Sequence, residues 1–304
     1  MDTAETLSFR KMLVTAAKKD ATDLHLTVGS PPMIRVDGIL QILEGEEILT
    51  SLKIERIVES MTDPDQRDRL NKERDIVVMN IFDNKIRGKV HIFFQEGSMT
   101  VSLRFLTLNV ETIRALNLPP SIEAIASQKN GLVIVGGHFG SGRTTLALAL
   151  LEHINQARVE HILTIEDPIE YDMIGNKSIV NQREVGRDVN SFDAALDAIE
   201  KEDVNIVFVS ELESASVMRK VLELANAGIL VITVMDVSSS DKALEKIISS
   251  FPSHEQSYVT ELLAEALRAV IIQYLLPRIG GGLVPVHEVM VNTSSVRSFI
   301  LSQK

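Results

Sequence analysis

The sequence predicts an α/β protein with two unlike domains, residues 1–112 and residues 113–304. A length of 304 residues with 45% hydrophobic side chains is enough to bury two cores and excludes a disordered chain. In the second part, apolar runs of strand length alternate with amphipathic helices, which is typical of a parallel sheet flanked by helices. The first part places helices beside alternating strands and turn signals, which indicates an α+β module.

The first domain is expected to open with a helix from Leu7 to Lys19, because its apolar residues recur on one face. Residues 23–28 and 33–36 then alternate polar and apolar side chains around the turn Gly29-Ser30-Pro31-Pro32, which predicts a hairpin. A second helix and three more strands are expected at residues 52–62, 76–82, 89–94 and 100–105.

The second domain is expected to follow a linker at residues 116–120, Leu-Asn-Leu-Pro-Pro. Its apolar runs predict strands at residues 132–135, 161–165, 206–209 and 229–234. Its amphipathic stretches predict helices at residues 144–156, 192–199, 215–227, 240–249 and 254–272.

The charge balance and the composition exclude several classes of protein. The chain carries 31 Lys and Arg against 42 Asp and Glu, and its net charge of −11 argues against a nucleic-acid partner. It contains no cysteine, which excludes disulfides and thiolate metal sites and fits a reducing compartment. The apolar runs at residues 229–235 and 269–272 are far shorter than the roughly 18–20 residues of a membrane helix, and we interpret them as a core strand and a core helix. Residues 1–5 carry acid where a signal peptide carries base, so we expect a cytoplasmic protein.

The clearest chemical signal is a glycine-rich stretch, GHFGSGRTT, at residues 137–145. It follows a predicted strand and precedes a predicted helix, which is the context of a phosphate-binding loop. The expected nucleotide-binding residues are Gly137, Gly140, Ser141, Gly142, Arg143, Thr144 and Thr145. Backbone N–H groups of such a loop hold the phosphates of a nucleotide, and the Thr144 hydroxyl is a candidate ligand for Mg²⁺.

One position of this motif differs from the usual pattern, because Arg143 stands where Lys is expected. Arginine keeps the positive charge, but its planar fork is bulkier than an ammonium and does not occupy the same point between phosphates. A glycine turn between strand and helix that holds no ligand remains the alternative interpretation of the loop.

Further motifs are spread along the whole chain. Residues 21–38 read ATDLHLTVGSPPMIRVDG, residues 162–171 read ILTIEDPIEY, and residues 180–186 read VNQREVG. Near the end, GGG at residues 280–282 is followed by VHEVM at residues 286–290. With the glycine-rich loop, these stretches make the chain resemble the retraction ATPases of type IV pili, the PilT group of the secretion ATPase superfamily.

The resemblance implies a PAS-like N-terminal domain followed by a RecA-like P-loop domain. It further implies a hexameric ring that uses ATP and Mg²⁺ beneath an inner-membrane pilus platform protein, so the chain would be cytoplasmic and peripheral at that membrane. In family terms, Glu166 and Asp167 belong to an acidic box, and Glu166 is an expected catalytic and metal-binding residue. Glu211 is expected to act in catalysis at the end of a Walker B strand.

Four departures from the family pattern fall on catalytic parts. Besides Arg143, the family's Gly-Glu-Met-Arg-Asp is met here by residues 210–214, Ser-Glu-Leu-Glu-Ser, so Glu211 is kept and the basic position is acidic. The His box, Thr-Leu-His-Thr, is met by residues 234–237, so Asp236 replaces a histidine that senses the γ-phosphate. Of two arginines that the family places across the subunit boundary, Arg104 is kept and Gly97 occupies the other position.

These departures favour a nucleotide-binding subunit with weak or no hydrolysis, acting as an accessory or regulatory member of the retraction machinery. Phosphoryl transfer depends on positioning and charge neutralisation, and an arginine finger alone is worth roughly 10³–10⁵ in rate. The assembly would be a homo-hexamer or a mixed ring with an active paralogous motor. Two alternatives stay open: an active retraction motor, and a structural adaptor that binds no nucleotide.

Overall fold

The computed structural model describes residues 4–82, 86–106, 110–279 and 282–302. The chain divides into two compact units, Met1–Leu108 and Asn109–Lys304. The domain boundary expected after residue 112 stays a prediction. Gly280 and Gly281, which belong to one of the motifs above, lie outside the described residues.

The first unit is built on an antiparallel sheet with helices packed on one face. Its described helices are Ala4–Lys18 (α1), Ser51–Met61 (α2) and Pro64–Glu73 (α3). Its described strands are Asp23–Leu26 (β1), Met33–Val36 (β2), Ile39–Ile42 (β3), Asp75–Phe82 (β4), Ile86–Gln95 (β5) and Ser98–Leu106 (β6). The strand order is β3-β2-β1-β6-β5-β4, and each neighbouring pair is antiparallel.

This unit has a single apolar core in its described part, formed where α1 and α2 cover the sheet. Phe9 and Met12 of α1 meet Leu24 of β1 and Val90 of β5 in that core, all of them almost fully buried. The opening helix, the hairpin and the later strands are therefore confirmed. The sequence analysis missed the helix α3 because Leu70 is the one buried residue described for it, so the helix has no apolar stripe. Its start is marked by a capping box formed by Asp63 and Gln66.

The second unit is built on a mostly parallel sheet with helices on both faces. Its described strands are Gly131–Gly137 (β7), His161–Glu166 (β8), Ile179–Glu184 (β9), Ile206–Val209 (β10), Leu230–Asp236 (β11), Leu267–Pro277 (β12) and Leu283–Val291 (β13). Its described helices are Pro120–Ala126 (α4), Arg143–Ala157 (α5), Phe192–Ala198 (α6), Ala215–Asn226 (α7), Ser240–Ser249 (α8), Gln256–Ala266 (α9) and Ser294–Ser302 (α10). The strand order is β13-β12-β7-β11-β10-β8-β9, and the β12–β13 pair is antiparallel.

Alternate residues of the central strand β7 enter different cores, which explains its uninterrupted apolar sequence. Val133 and Val135 pack with α4 and α5, whereas Leu132 and Ile134 pack on the opposite face with α6, α7, α8 and α9. A parallel strand that is covered on both faces needs apolar side chains at every position. The four strands expected in this unit are confirmed.

The helix expected at residues 254–272 is wrong in its second half. The helix α9 ends at Ala266, and the run Ala269–Ile272 lies in strand β12 between β7 and β13. A short buried apolar run has the same appearance in a helix and in a central strand, and the β-branched residues Val270, Ile271 and Ile272 favour the strand. The run is therefore a core strand, not a core helix.

The sheet places the predicted site residues along one edge. Strands β7, β11, β10 and β8 are parallel neighbours, so the loops that follow their carboxyl ends share that edge. These loops carry the glycine-rich stretch, Glu211 and Asp167, and Asp236 is the last residue of β11 at the same edge. Among the described residues no helix has the length and apolar character needed to cross a membrane.

Candidate functional site

The glycine-rich loop between β7 and α5 has a backbone that tolerates no side chain at two of its glycines. Gly137 and Gly142 have φ values of 151° and 82°. A Cβ at Gly137 would lie 2.3 Å from Ser141 Oγ, and one at Gly142 would lie 2.7 Å from Gln273 Nε2. The loop therefore turns tightly into α5, whose first turn has no side-chain cap among the described residues. The first N–H groups of this helix are available to an anion.

One buried polar atom beside this loop fits the same interpretation. The Ser141 hydroxyl is buried and has no hydrogen-bond partner among the described residues, although its residue is 7% exposed. A buried hydroxyl without a partner costs free energy unless a ligand or water satisfies it. The loop thus combines unsatisfied donors with a glycine backbone, as phosphate sites do.

A buried side chain of β12, that of Gln273, supports the glycine-rich loop through a hydrogen bond. Gln273, 4% exposed, donates from Nε2 to the Ser141 carbonyl over 2.6 Å. Its Oε1 lies 2.9 Å from His287 Nε2, directly across the β12–β13 pair. Because Oε1 is an acceptor, the His287 ring donates this bond. Burial lowers the pKa of His287, which keeps the ring neutral.

Two of the sequence departures meet at the entrance of the loop. Arg143 Nη1 lies 3.9 Å from Asp236 Oδ1, with 18% and 60% of the two side chains exposed. Asp236 ends β11 directly opposite Gly137 on β7, so its position follows from the parallel pairing of these strands. The separation is that of an ion pair without a direct hydrogen bond. The positive charge of the loop is thus partly matched by a carboxylate of the same chain.

A cavity of about 440 Å³ opens beside this ion pair. Its lining includes His138 of the loop, Asp236, and Lys242 and Lys246 of α8. Lys246 Nζ donates to the main-chain carbonyl of Asp236 over 3.3 Å. Lys242 donates to Glu245 over 2.6 Å, and this bond raises the pKa of Lys242. Lys246 is therefore a second cation close to Asp236.

A larger cavity, of about 620 Å³, lies on the other side of the helix start. It reaches Gly142 and Thr145 and is lined mainly by apolar side chains, with Arg278 as a charged member. Its apolar wall includes Leu116, Leu118, Leu275, Leu283, Val284 and Pro285. An apolar cavity beside a phosphate-binding loop is suited to the flat base of a nucleotide.

The acidic box lies at the end of β8 and is tied to the loop helix. Glu166 is 1% exposed, and its Oε1 accepts hydrogen bonds from Thr164 Oγ1 at 2.6 Å and from Gln182 Nε2 at 2.9 Å. The same Gln182 nitrogen donates to the Tyr171 carbonyl, and the Tyr171 hydroxyl lies 3.3 Å from Thr145 Oγ1. The buried carboxylate is thereby fixed in place relative to α5.

Glu211 lies in the exposed loop after β10. Beside it, Ser210 Oγ accepts a hydrogen bond from the Asp167 N–H over 3.2 Å, which links the ends of β8 and β10. Burial raises the pKa of Glu213, and the charges of Glu211, Asp193 and Asp167 add to the increase. In the described part of the chain no three acidic or histidine side chains form a metal site. A Mg²⁺ ion here would need phosphate oxygens and water as ligands.

Arg104 belongs to the first unit, whereas the residues of the glycine-rich loop belong to the second. Its Nε donates to the buried carboxylate of Asp23 over 3.0 Å, and the two residues face each other across β6 and β1. Gly97 forms the turn between β5 and β6 with Glu96, at φ values of 79° and 51°. The turn therefore favours glycine at residue 97, and the interpretation of this position as a lost arginine stays a prediction.

The structure brings together the residues of the glycine-rich loop and places Glu166 and Glu211 on the same sheet edge. Sequence reasoning missed Gln273, His287, Lys246 and Gln182. The single polar residue Gln273 after the apolar run Ala269–Ile272 was a usable signal for a buried polar contact. Gln182 and His287 lie in the family-like stretches VNQREVG and VHEVM, which gave these two residues no individual role, and Lys246 lies in a helix without a distinguishing pattern.

Known proteins are similar to this chain over nearly its whole length. The family model described as "Type II/IV secretion system protein" matches residues 3–296. The type IV pilus retractation ATPase PilT of Pseudomonas aeruginosa is 34% identical over 308 aligned positions, which cover 100% of this chain and 86% of PilT. The type IV pilus ATPase PilU of the same organism is 31% identical, over an alignment that covers 94% of this chain and 75% of PilU. A crystal structure of the pilus retraction motor PilT with bound ADP superimposes with a TM-score of 0.89 at 32% identity, covering 97% of this chain and 86% of that one.

Proposed function

This chain belongs to the type II/IV secretion system protein family, and from that membership we propose that it is a nucleotide-binding subunit of a type IV pilus retraction machinery with weak or no ATP hydrolysis. Its similarity to PilT and PilU supports the pilus client and a role in twitching motility. The role would be accessory or regulatory, beside an active paralogous motor.

The observation that carries this proposal is the ion pair of Arg143 and Asp236. The loop cation is matched by a carboxylate of its own chain, at the place where a hydrolysing site concentrates positive charge on the phosphates. Stabilising the charge of the transition state is the main task of such a site, so an anion there opposes hydrolysis. Binding depends more on the backbone N–H groups of the loop, which this pair leaves unchanged.

The residues of the loop fit ATP with Mg²⁺. The N–H groups at the start of α5 and the Ser141 hydroxyl would hold the phosphates, while Thr144 and Glu166 are the proposed Mg²⁺ contacts, Glu166 through water. Bound Mg²⁺ would supply charge neutralisation between phosphate oxygens. The apolar cavity that reaches Gly142 and Thr145 is the proposed site of the base.

The finer architecture is also part of the proposal. The first unit would be PAS-like and the second RecA-like, and the chain would assemble as a homo-hexamer or as a mixed ring. Its placement would be cytoplasmic, peripheral at the inner membrane through a pilus platform protein. In that ring, Arg104 would face the nucleotide of a neighbouring subunit, and Glu211 and Glu166 would act on the nucleotide of their own.

Isothermal titration calorimetry with ATP and ADP, paired with a phosphate-release assay on the same preparation, tests the proposal. Binding of nucleotide with little or no phosphate release is the expected result. Turnover at the rate of an active P-loop motor would show instead that the chain is a working ATPase. If neither nucleotide produces binding heat, a structural adaptor is the correct description.

A further inference from the structure

We propose that Asp236 makes the phosphate site selective for a nucleoside diphosphate over a triphosphate. The inference rests on the proposed function, because it requires that the glycine-rich loop binds nucleotide. It concerns the difference in affinity between a diphosphate and a triphosphate, both of which would contact the backbone of the same loop.

The sheet fixes the main chain of Asp236. Asp236 is the last residue of β11 and lies opposite Gly137, the last residue of β7, and a further bridge joins Gly137 to Val237. The glycine-rich loop leaves the sheet at this same point. Asp236 is therefore positioned by two paired strands, and its Oδ1 lies 3.9 Å from the guanidinium that begins α5.

The charges around Asp236 show what a phosphate would meet there. Two cations are directed at this residue, Arg143 at its carboxylate and Lys246 at its main-chain carbonyl, 3.3 Å away. Lys242, which lines the same cavity, is already paired with Glu245. Asp236 thus occupies the position between Arg143 and Lys246 that a terminal phosphate would use.

A triphosphate would extend one phosphate group further toward Asp236 than a diphosphate would. In the proposed binding mode, the phosphates nearest to the nucleoside are held by the N–H groups of the loop and of α5. A third phosphate extends toward the cations, where it must displace the carboxylate or lie against it. Both choices weaken the triphosphate, because like charges at close range repel.

The exposure of the Asp236 side chain determines how large the preference for the diphosphate is. The Asp236 side chain is 60% exposed, so water and salt screen its charge and the carboxylate can rotate. We therefore expect a preference of about three- to tenfold for the diphosphate at low salt, smaller at high salt. The same exposure makes a substitution here harmless to folding.

Calorimetric titration of the full chain with Mg-ADP and with a non-hydrolysable Mg-ATP analogue measures this preference. The unmodified protein should bind the diphosphate more tightly, and Asp236→Asn should reduce the preference mainly by strengthening triphosphate binding. The substitution keeps the shape of the side chain and removes its charge. Asp241→Asn is the matched control, since it removes the same charge from α8 outside the cavity lining, and it should leave the ratio unchanged.

The outcomes separate this inference from the proposed function. Equal affinities in the unmodified protein, or a ratio that Asp236→Asn does not change, overturn the inference while nucleotide binding stands. Binding that appears only in Asp236→Asn also overturns it, because the carboxylate would then exclude both nucleotides. If neither ligand binds to either protein, the proposed function fails, and the inference fails with it.

Discussion

Arg143 Nη1, at the start of α5, and Asp236 Oδ1, at the end of β11, lie 3.9 Å apart. In the interpretation drawn from the sequence, each residue departs from the family pattern, Arg143 by standing in place of a lysine and Asp236 in place of a histidine. Together they form an opposite-charge pair within one chain. The two substitutions are therefore parts of one altered site.

Restoring lysine alone should not restore hydrolysis. In Arg143→Lys the ammonium still faces Asp236, so we expect phosphate release to rise by less than about tenfold, because residues of one site act as a unit. Arg143→Lys combined with Asp236→His should exceed the product of the two single effects. Arg56→Lys, an exposed exchange in the first unit, should change nothing. A single Arg143→Lys variant as active as the double variant would contradict this prediction.

Removing the support below the loop should weaken nucleotide binding. Gln273→Leu leaves the Ser141 carbonyl and the His287 ring without partners, so we expect a loss of about 1–3 kcal/mol in the free energy of unfolding. Nucleotide affinity, measured by calorimetry, should fall about tenfold because the loop is no longer held in shape.

The control for that experiment is Thr260→Val, which removes a buried hydrogen bond within α9 to the carbonyl of Gln256. It should destabilise the protein without changing nucleotide affinity. If both variants change affinity equally, the effect of Gln273→Leu is general destabilisation, and Gln273 has no special role at the loop.

Folding stability should fall in mildly acidic solution because of two half-buried histidines. Burial lowers the pKa of His287 and of His25 below the ordinary value of 6.5, so the folded state binds their protons less readily than the unfolded state. The contribution of these two neutral histidines to the free energy of unfolding is fully present above pH 6.5 and decreases as the pH falls below that value. Urea unfolding at pH 7.5 and pH 5.5 measures this loss, and His287→Gln should make it smaller. An unchanged loss in His287→Gln would show that His287 is solvated in the folded state.

Placing arginine at residue 97 should destabilise the first unit. Gly97 has a φ of 79° in a two-residue turn, a conformation that costs about 1–2 kcal/mol for a residue with a Cβ. There is space for a side chain, since nothing lies within 4 Å of a Cβ there, so the cost is one of backbone conformation. Urea denaturation should show this loss for Gly97→Arg and a smaller one for Gly97→Asn, because asparagine tolerates positive φ. Equal stability of Gly97→Arg and the unmodified chain would contradict the argument.

The glycine-rich loop could be predicted from the sequence because its chemistry is local. Strand, glycines and helix follow one another within residues 131–157, and their spacing predicts the turn. The pairing of Arg143 with Asp236 could not be predicted in this way. It depends on β11 lying beside β7, which is a matter of strand order and not of neighbouring residues.

The strand β12 shows a different limit. The apolar residues Ala269–Ile272 are compatible with a buried helix and with a central strand, and the preceding helix made its continuation plausible. Because the run before Gln273 was assigned to a helix, the sequence did not predict that Gln273 lies next to the loop. Its contact with His287 of β13 could not be predicted either. One misassigned element therefore concealed the side chain that supports the glycine-rich loop.

The pairing of Arg143 and Asp236 also constrains how this site can change over generations. Asp236 beside a lysine would retain its counter-charge, whereas a protonated histidine beside Arg143 would place two cations together. The two positions are coupled, and the benefit of a substitution at one depends on the residue at the other. Among relatives of this chain, residues 143 and 236 should therefore be inherited as matched combinations. An exchange of both residues would therefore begin with lysine at residue 143, because that intermediate keeps an opposite charge beside Asp236.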